Sequence, residues 1–190
     1  GMGPQLLVLS ATPIPRSLAL TAYGDLDLVT LDRSPPGRQP VTTHLALGRQ
    51  GEEQALAAVA AALARHERGF VVCPAIDEQE GRRGTSVLAR FRHLRTHLAP
   101  ARVGLLHGQM PSEEQREVLG ALAAGRLDVL VATTVLEVGV DVPAASIMVI
   151  EDAERFGLAQ LHQLRGRVGR AGQAAQCYLL TRSDDEDALE

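Results

Sequence analysis

The densest run of residues able to do chemistry is QLRGRVGRAG at 163–172, where Arg167 and Arg170 stand three apart and each follows a glycine. That spacing places two guanidinium groups nearly one helical turn apart, and the glycines let the backbone come close to a ligand. Such a pair can grip phosphate oxygens bidentately and neutralise charge that develops in phosphoryl transfer. A glycine-loosened surface helix with solvated arginines would show the same spacing. The second run, VLVATTVLEVGVDVP at 129–143, leads from an apolar strand into Thr133 and Thr134, then to Gly139 and Asp141, and closes on Pro143. Hydroxyls and amides at a strand end can hold a phosphodiester, and a carboxylate further on can accept from a ribose hydroxyl or orient an arginine. Threonine and valine are also plain strand formers. A third group, Arg82, Arg83, Arg90, Arg92 and Arg95, reads equally as a phosphate-facing cluster or as a solvated helix face.

These residues need elements to hold them. Short apolar runs at 6–9, 41–47, 70–76, 103–106, 128–133, 146–150 and 177–181 read as strands, several of them apolar on both faces. Between them, 51–67, 86–98, 112–124 and 155–166 have helical composition, and in the alanine-rich run Leu56, Val59 and Leu63 recur at helical spacing. Strand, helix, strand at this rhythm predicts an α/β fold, a mainly parallel β-sheet with helices on both faces. Residues 24–40, with three prolines and two glycines, break the rhythm and read as an extended linker. Four parts follow: 1–23 as the end of a preceding lobe, 24–40 as linker, 41–183 as the main domain and 184–190 as an acidic tail. GMGP at the start reads in part as a cloning remnant.

In an open parallel sheet, ligands collect beyond the carboxyl ends of the strands. The residues following each expected strand are polar: Ser10 and Thr12, Asp77 and Glu78, His107 and Gly108, Thr133 and Thr134, Glu151 and Asp152. This edge is the expected site, and the arginines of 163–172 are expected to join it.

Composition bounds the function. The chain has 190 residues, is 45% hydrophobic and carries a formal charge of -4, which excludes collagen-like, disordered and staple-dependent classes. No apolar stretch is long enough to span a bilayer, so a soluble intracellular protein is expected. All nineteen basic residues are arginine, and a reaction that needs a lysine cannot be completed by this chain. Cys73 and Cys177 sit far apart within apolar runs and read as buried free thiols. Only 3% of residues are aromatic, which disfavours base stacking and suits contact with a nucleic-acid backbone.

Taken in order, SATPIPR (10–16), LLHGQM (105–110), ATTVLEVGVDVP (132–143) and AERFGLAQLHQLRGRVGR (153–170) resemble the third, fourth-to-fifth and sixth motifs of superfamily 2 helicases. With LALTAYGDLDL (18–28) and PPGRQPVTT (35–43), the pattern is similar to the RecG family of ATP-dependent DNA helicases. The resemblance implies a RecA-like second motor lobe in which Ser10 and Thr12 couple the nucleotide site to DNA. It places Gly139 and Asp141 at the nucleotide edge, and Gln163, Arg167 and Arg170 in the sixth motif, with the two arginines as fingers. Thr133 and Thr134 would touch the nucleic-acid backbone, and His107 and Gly108 would open a loop on the same face.

The family's phosphate loop with its lysine and its acidic magnesium segment precede the SAT motif and are not in this chain. ATP and Mg2+ would therefore be held mainly by a first lobe, and the chain alone is expected to hydrolyse no ATP. Asp77 and Glu78 imitate a magnesium-binding strand end but stand on the wrong side of SAT, and no metal ligand is expected here. The implied partners are DNA forks and Holliday junctions, a first helicase lobe and an N-terminal wedge domain. The implied setting is the bacterial cytoplasm at the nucleoid, in recombination and repair. Two other readings stand beside this one, the motor of a transcription-repair coupling factor and a non-catalytic nucleic-acid-binding lobe.

Overall fold

The computed structural model describes residues 39–74, 87–133, 142, 145–169 and 172–181, all within the unit Gly37–Glu190. The expected strand at 6–9, the preceding-lobe segment 1–23, nearly all of the linker and the acidic tail lie outside the described residues, as do Ser10, Thr12, Asp77, Glu78, Thr134, Gly139, Asp141 and Arg170.

Among the described residues, six strands form one sheet: β1 (Val41–Leu47), β2 (Arg68–Val72), β3 (Val103–Leu106), β4 (Val129–Ala132), β5 (Ala145–Ile150) and β6 (Ala175–Thr181). Their order is β1-β6-β5-β2-β4-β3, and every pair is parallel. Helices α1 (Gly48–Ala64) and α2 (Val87–His97) cover one face, α3 (Ser112–Ala123) and α4 (Leu158–Arg165) the other. The expected doubly covered parallel sheet is therefore the observed one.

Alternation along the strands builds the two cores. Phe70, Val72, Leu130, Ala132, Met148, Ile150 and Cys177 pack on the side of α3 and α4. Val71, Cys73, Val129, Val131, Ile147, Val149 and Leu180 pack on the side of α1 and α2. Both faces are buried, which is why the central strands read as unbroken apolar runs. Cys73 and Cys177 are buried thiols as expected, and burial pushes the Cys177 thiol up to about 12, so it stays protonated and unreactive.

Boundaries differ from expectation where a backbone group decides them. The helix expected over 51–67 starts at Gly48, whose φ of 55° lets it spring directly from β1. It stops at Ala64 because His66 takes a left-handed φ of 59°, while the His66 and Glu67 amides donate to Leu63 and Ala62 at 2.9 and 3.1 Å, which closes the last turn. Within it, Gly51 touches the β1 backbone so closely that a Cβ would lie 2.4 Å from the carbonyl carbon of Ala46. The strand expected over 70–76 runs Arg68–Val72 instead. The Cys73 amide makes a last bond to Ala132 at 2.8 Å, and Pro74 has no N–H to continue. The helix expected over 155–166 is a 3-10 turn at Ala153–Arg155 followed, after Gly157, by α4.

At the amino edge, Arg102 ties the start of β3 to that of β4. Its backbone N–H, Nε and Nη2 donate to the Asp128 carboxylate at 2.7, 2.9 and 2.6 Å, and Nη2 also donates to the Gly125 carbonyl at 2.7 Å. The Arg102 side chain holds Asp128 below the usual carboxylate range.

Candidate functional site: two groups on opposite edges of the sheet

Strand register places four strand ends in one row. Ile150 pairs with Val72, Val72 with Ala132, and Ala132 with Leu106, so the next residues, Glu151, Cys73, Thr133 and His107, line the carboxyl edge together. The ladder continues one step past the strands. Glu151 donates its amide to Val72 at 2.8 Å, and Thr133 to Leu106 at 3.1 Å. The polar edge read from the sequence is thus present at β3, β4 and β5.

The loop after β3 is a hydrogen-bonded turn. The Met110 amide donates to the His107 carbonyl at 3.1 Å, the His107 amide donates to the Met110 thioether at 3.4 Å, and Gln115 Nε2 donates to the Met110 carbonyl at 2.8 Å. This turn leaves Gly108 exposed and His107 half-exposed before α3, whose first turn carries Glu113 and Glu114 in favourable alignment with the helix dipole. Thr133 is only 7% exposed, so it offers less open surface than the His107–Gly108 turn beside it.

Gln163 and Arg167 are elsewhere, which corrects the expectation of a single edge for these two residues. After β5, Asp152 turns the chain with a left-handed φ of 47°, and the Gly157 amide donates to Gln160 Oε1 at 3.1 Å at the start of α4. Helix α4 then returns to begin β6. At its far end the Gly169 amide donates to the carbonyl of Ala145, the first residue of β5, at 3.0 Å, and a Cβ on Gly169 would meet Ala175 Cβ at 2.9 Å. Gln163, exposed, and Arg167, half-buried, therefore lie toward the amino ends of β5 and β6. The length of β5, about 20 Å at ~3.3 Å per residue, separates that end from Glu151. The reason is topological: a crossover between neighbouring parallel strands must carry the chain back to the amino edge. The Val142 carbonyl, accepting from the Ala145 amide at 3.0 Å, marks the same edge.

The sequence also missed a buried ion cluster. Arg90, which the sequence reads equally as phosphate-facing or as part of a solvated helix face, is 6% exposed. Its Nη1 donates to Glu52 at the start of α1 at 2.5 Å, and its Nε lies 2.5 Å from Glu151 Oε1. Glu151 and Asp152 are each 4% exposed. Burial holds the Glu151 carboxyl above its ordinary range, with Arg90 pulling it back and Glu52 and Asp152 adding to the rise. Only the placement of Arg90 three after Val87 and four before Leu94, both buried, hinted that its side chain faces inward. Among the described residues, no group of three or more His, Cys, Asp or Glu side chains could hold a metal ion, and no helix is long and apolar enough to cross a membrane.

This chain is similar to known proteins over almost its whole length. It is 48% identical over 186 residues to the ATP-dependent DNA helicase RecG of Thermotoga maritima, covering 97% of this chain and 24% of that protein. It is 46% identical over 180 residues to the RecG of Escherichia coli K12, covering 95% and 26%. The chain thus spans about a quarter of the length of these curated relatives. Among solved structures, RecG bound to a three-way DNA junction matches with a TM-score of 0.76 at 45% identity, over 94% of this chain and 23% of that one. The S. cerevisiae Dbp5, at 17% identity and a TM-score of 0.64 over 94% of this chain and 45% of that one, shares the fold. The sequence pattern of the helicase conserved C-terminal domain matches residues 54–172, and the chain belongs to that family.

Proposed function

We propose that this chain is the second motor lobe of an ATP-dependent DNA helicase of the RecG kind, acting on branched DNA such as forks and Holliday junctions in recombination and repair. The observation that carries the reading is the likeness to RecG helicases along 97% of the chain. The separation of the two residue groups supports it, because a motor must touch nucleotide and nucleic acid at different places and connect them.

In this reading Gln163, Arg167 and Arg170 serve the nucleotide. ATP supplies a phosphoryl group whose oxygens gather negative charge as it transfers. Arg167 and Arg170 neutralise that charge as fingers reaching toward a first lobe, and Gln163, one turn earlier than Arg167, orients the group. Gly139 and Asp141 flank the same nucleotide. Mg2+ belongs to the first lobe, which brings the lysine this chain lacks. On the carboxyl edge, Thr133, Thr134 and the His107–Gly108 turn take DNA phosphates, and Ser10 and Thr12 couple the two events. Opening and closing of the cleft between lobes moves the DNA. A wedge domain ahead of the motor selects the branch point, and the whole works in the bacterial cytoplasm at the nucleoid.

The test is ATP turnover. The 190-residue chain alone should show background hydrolysis, and joined to a lobe with a phosphate loop it should show turnover that DNA stimulates. Turnover by the clean chain alone would sink the reading.

A further inference from the structure

Three elements converge on one side chain. Arg90 projects from α2 into the interior, where it meets Glu52 from the first turns of α1 and Glu151 from the end of β5. Glu52 remains about one-third exposed and keeps access to water, whereas the Glu151 side chain is 6% exposed and has none to spare. Glu151 is also the last residue whose amide belongs to the sheet ladder, through its bond to Val72. The next residue, Asp152, is buried, left-handed in φ, and starts the turn at Ala153–Arg155, its carbonyl accepting the Arg155 amide at 2.9 Å. From that corner the chain enters α4, whose far end leads to Arg167. The crossover from Glu151 to Arg167 is thus one continuous link between the carboxyl-edge row and the arginine group.

We propose that Arg90 is a positioning residue: by gripping Glu151 in the interior it fixes the Glu151–Asp152 corner, and through the corner the direction in which α4 presents Arg167. Arginine suits this task because its planar fork can hold two carboxylates from different elements at once. A buried charge pair is poor evidence of stability, but removing one partner leaves the other charged and unsolvated, and the chain around it moves to find water. The proposal rests on the helicase reading only for what Arg167 does; the grip on the corner stands apart from it.

The charged groups that face Glu151 are Arg90 from α2, Glu52 from α1 and its neighbour Asp152. In an Arg90→Met variant the attraction that favours ionised Glu151 is lost while its burial and the two like charges stay. Glu151 then takes up a proton at higher pH than in the unaltered chain. The corner should be native-like at low pH, with Glu151 neutral, and displaced as pH rises and Glu151 ionises.

Amide hydrogen exchange on the 190-residue chain tests this, compared as protection factors to remove the intrinsic pH effect. Above neutral pH, Arg90→Met should lower protection across residues 152–165 on the order of tenfold, with α3 unchanged. Protection should return at acid pH, and adding Glu151→Gln should restore it at every pH. A uniform loss of protection, a loss that ignores pH, or no loss at all would overturn the proposal. Should Arg90→Met fail to fold, the double variant decides: native-like protection upholds the grip on Glu151, and failure to fold refutes it. Joined to the first lobe, Arg90→Met should lower the kcat for ATP hydrolysis severalfold at unchanged KM. An unchanged kcat alongside a displaced corner would overturn the link to Arg167. Absence of hydrolysis in the unaltered protein would count against the helicase reading and leave the exchange result standing.

Discussion

Gly169 is where one side chain's absence matters most. It holds a φ of 73°, and a Cβ there would press on Ala175 at 2.9 Å, so position 169 has no room for a side chain. Gly169→Ala should cost about 2 kcal/mol of stability, from a strained left-handed backbone and a contact that must give. Urea unfolding of the 190-residue chain measures this, and an unchanged midpoint would contradict the close packing. The glycine before Arg170 was legible in the sequence as a place of close approach, although the sequence pointed to a ligand and the structure shows β6. Arg90 was not legible. Its partners Glu52 and Glu151 are far from it in the chain, and a charge surrounded by other charges looks solvated until the helix face is known.

Elements were read more reliably than their ends. The strands at 41–47 and 103–106 have the expected bounds, because alternation or an apolar run was framed by clear breaks. Helix α1 starts three residues before the expected 51, because Gly48 at φ 55° opens it directly from β1. Gly51 sets how closely α1 lies on β1. Gly51→Ala should destabilise by about 3 kcal/mol, since the added methyl meets backbone that cannot swing aside. A calorimetric midpoint equal to the parent's would refute this. At the amino edge, the Arg102 side chain keeps the Asp128 carboxyl below its unfolded value. A depressed pKa gives stability that is full above the unfolded value and is lost as pH falls through the folded one. Asp128→Asn should therefore weaken the chain at neutral pH and flatten its loss of stability below about pH 4. An acid profile as steep as the parent's would show that the Arg102 clamp is not what titrates.

At the scale of the whole molecule, the alternation of strand and helix was enough to give the fold class, and the ends of β3, β4 and β5 were enough to give His107, Thr133 and Glu151 in the carboxyl-edge row. The placement of Gln163 and Arg167 is implicit in the topology rather than in the local spacing. Any helix joining parallel neighbours returns to the opposite edge, so Gln163 and Arg167, near the end of α4, belong with the amino ends. The two groups can then serve different ligands, with β5, its corner and α4 between them. The most direct measurement is the effect of Arg167→Ala on the chain joined to a lobe with a phosphate loop, read as both ATP turnover and affinity for branched DNA. A fall in kcat of about 10²–10³-fold is expected, with DNA affinity within about threefold of the parent. Lost DNA affinity with hydrolysis intact would contradict it, by assigning the arginine edge to nucleic acid.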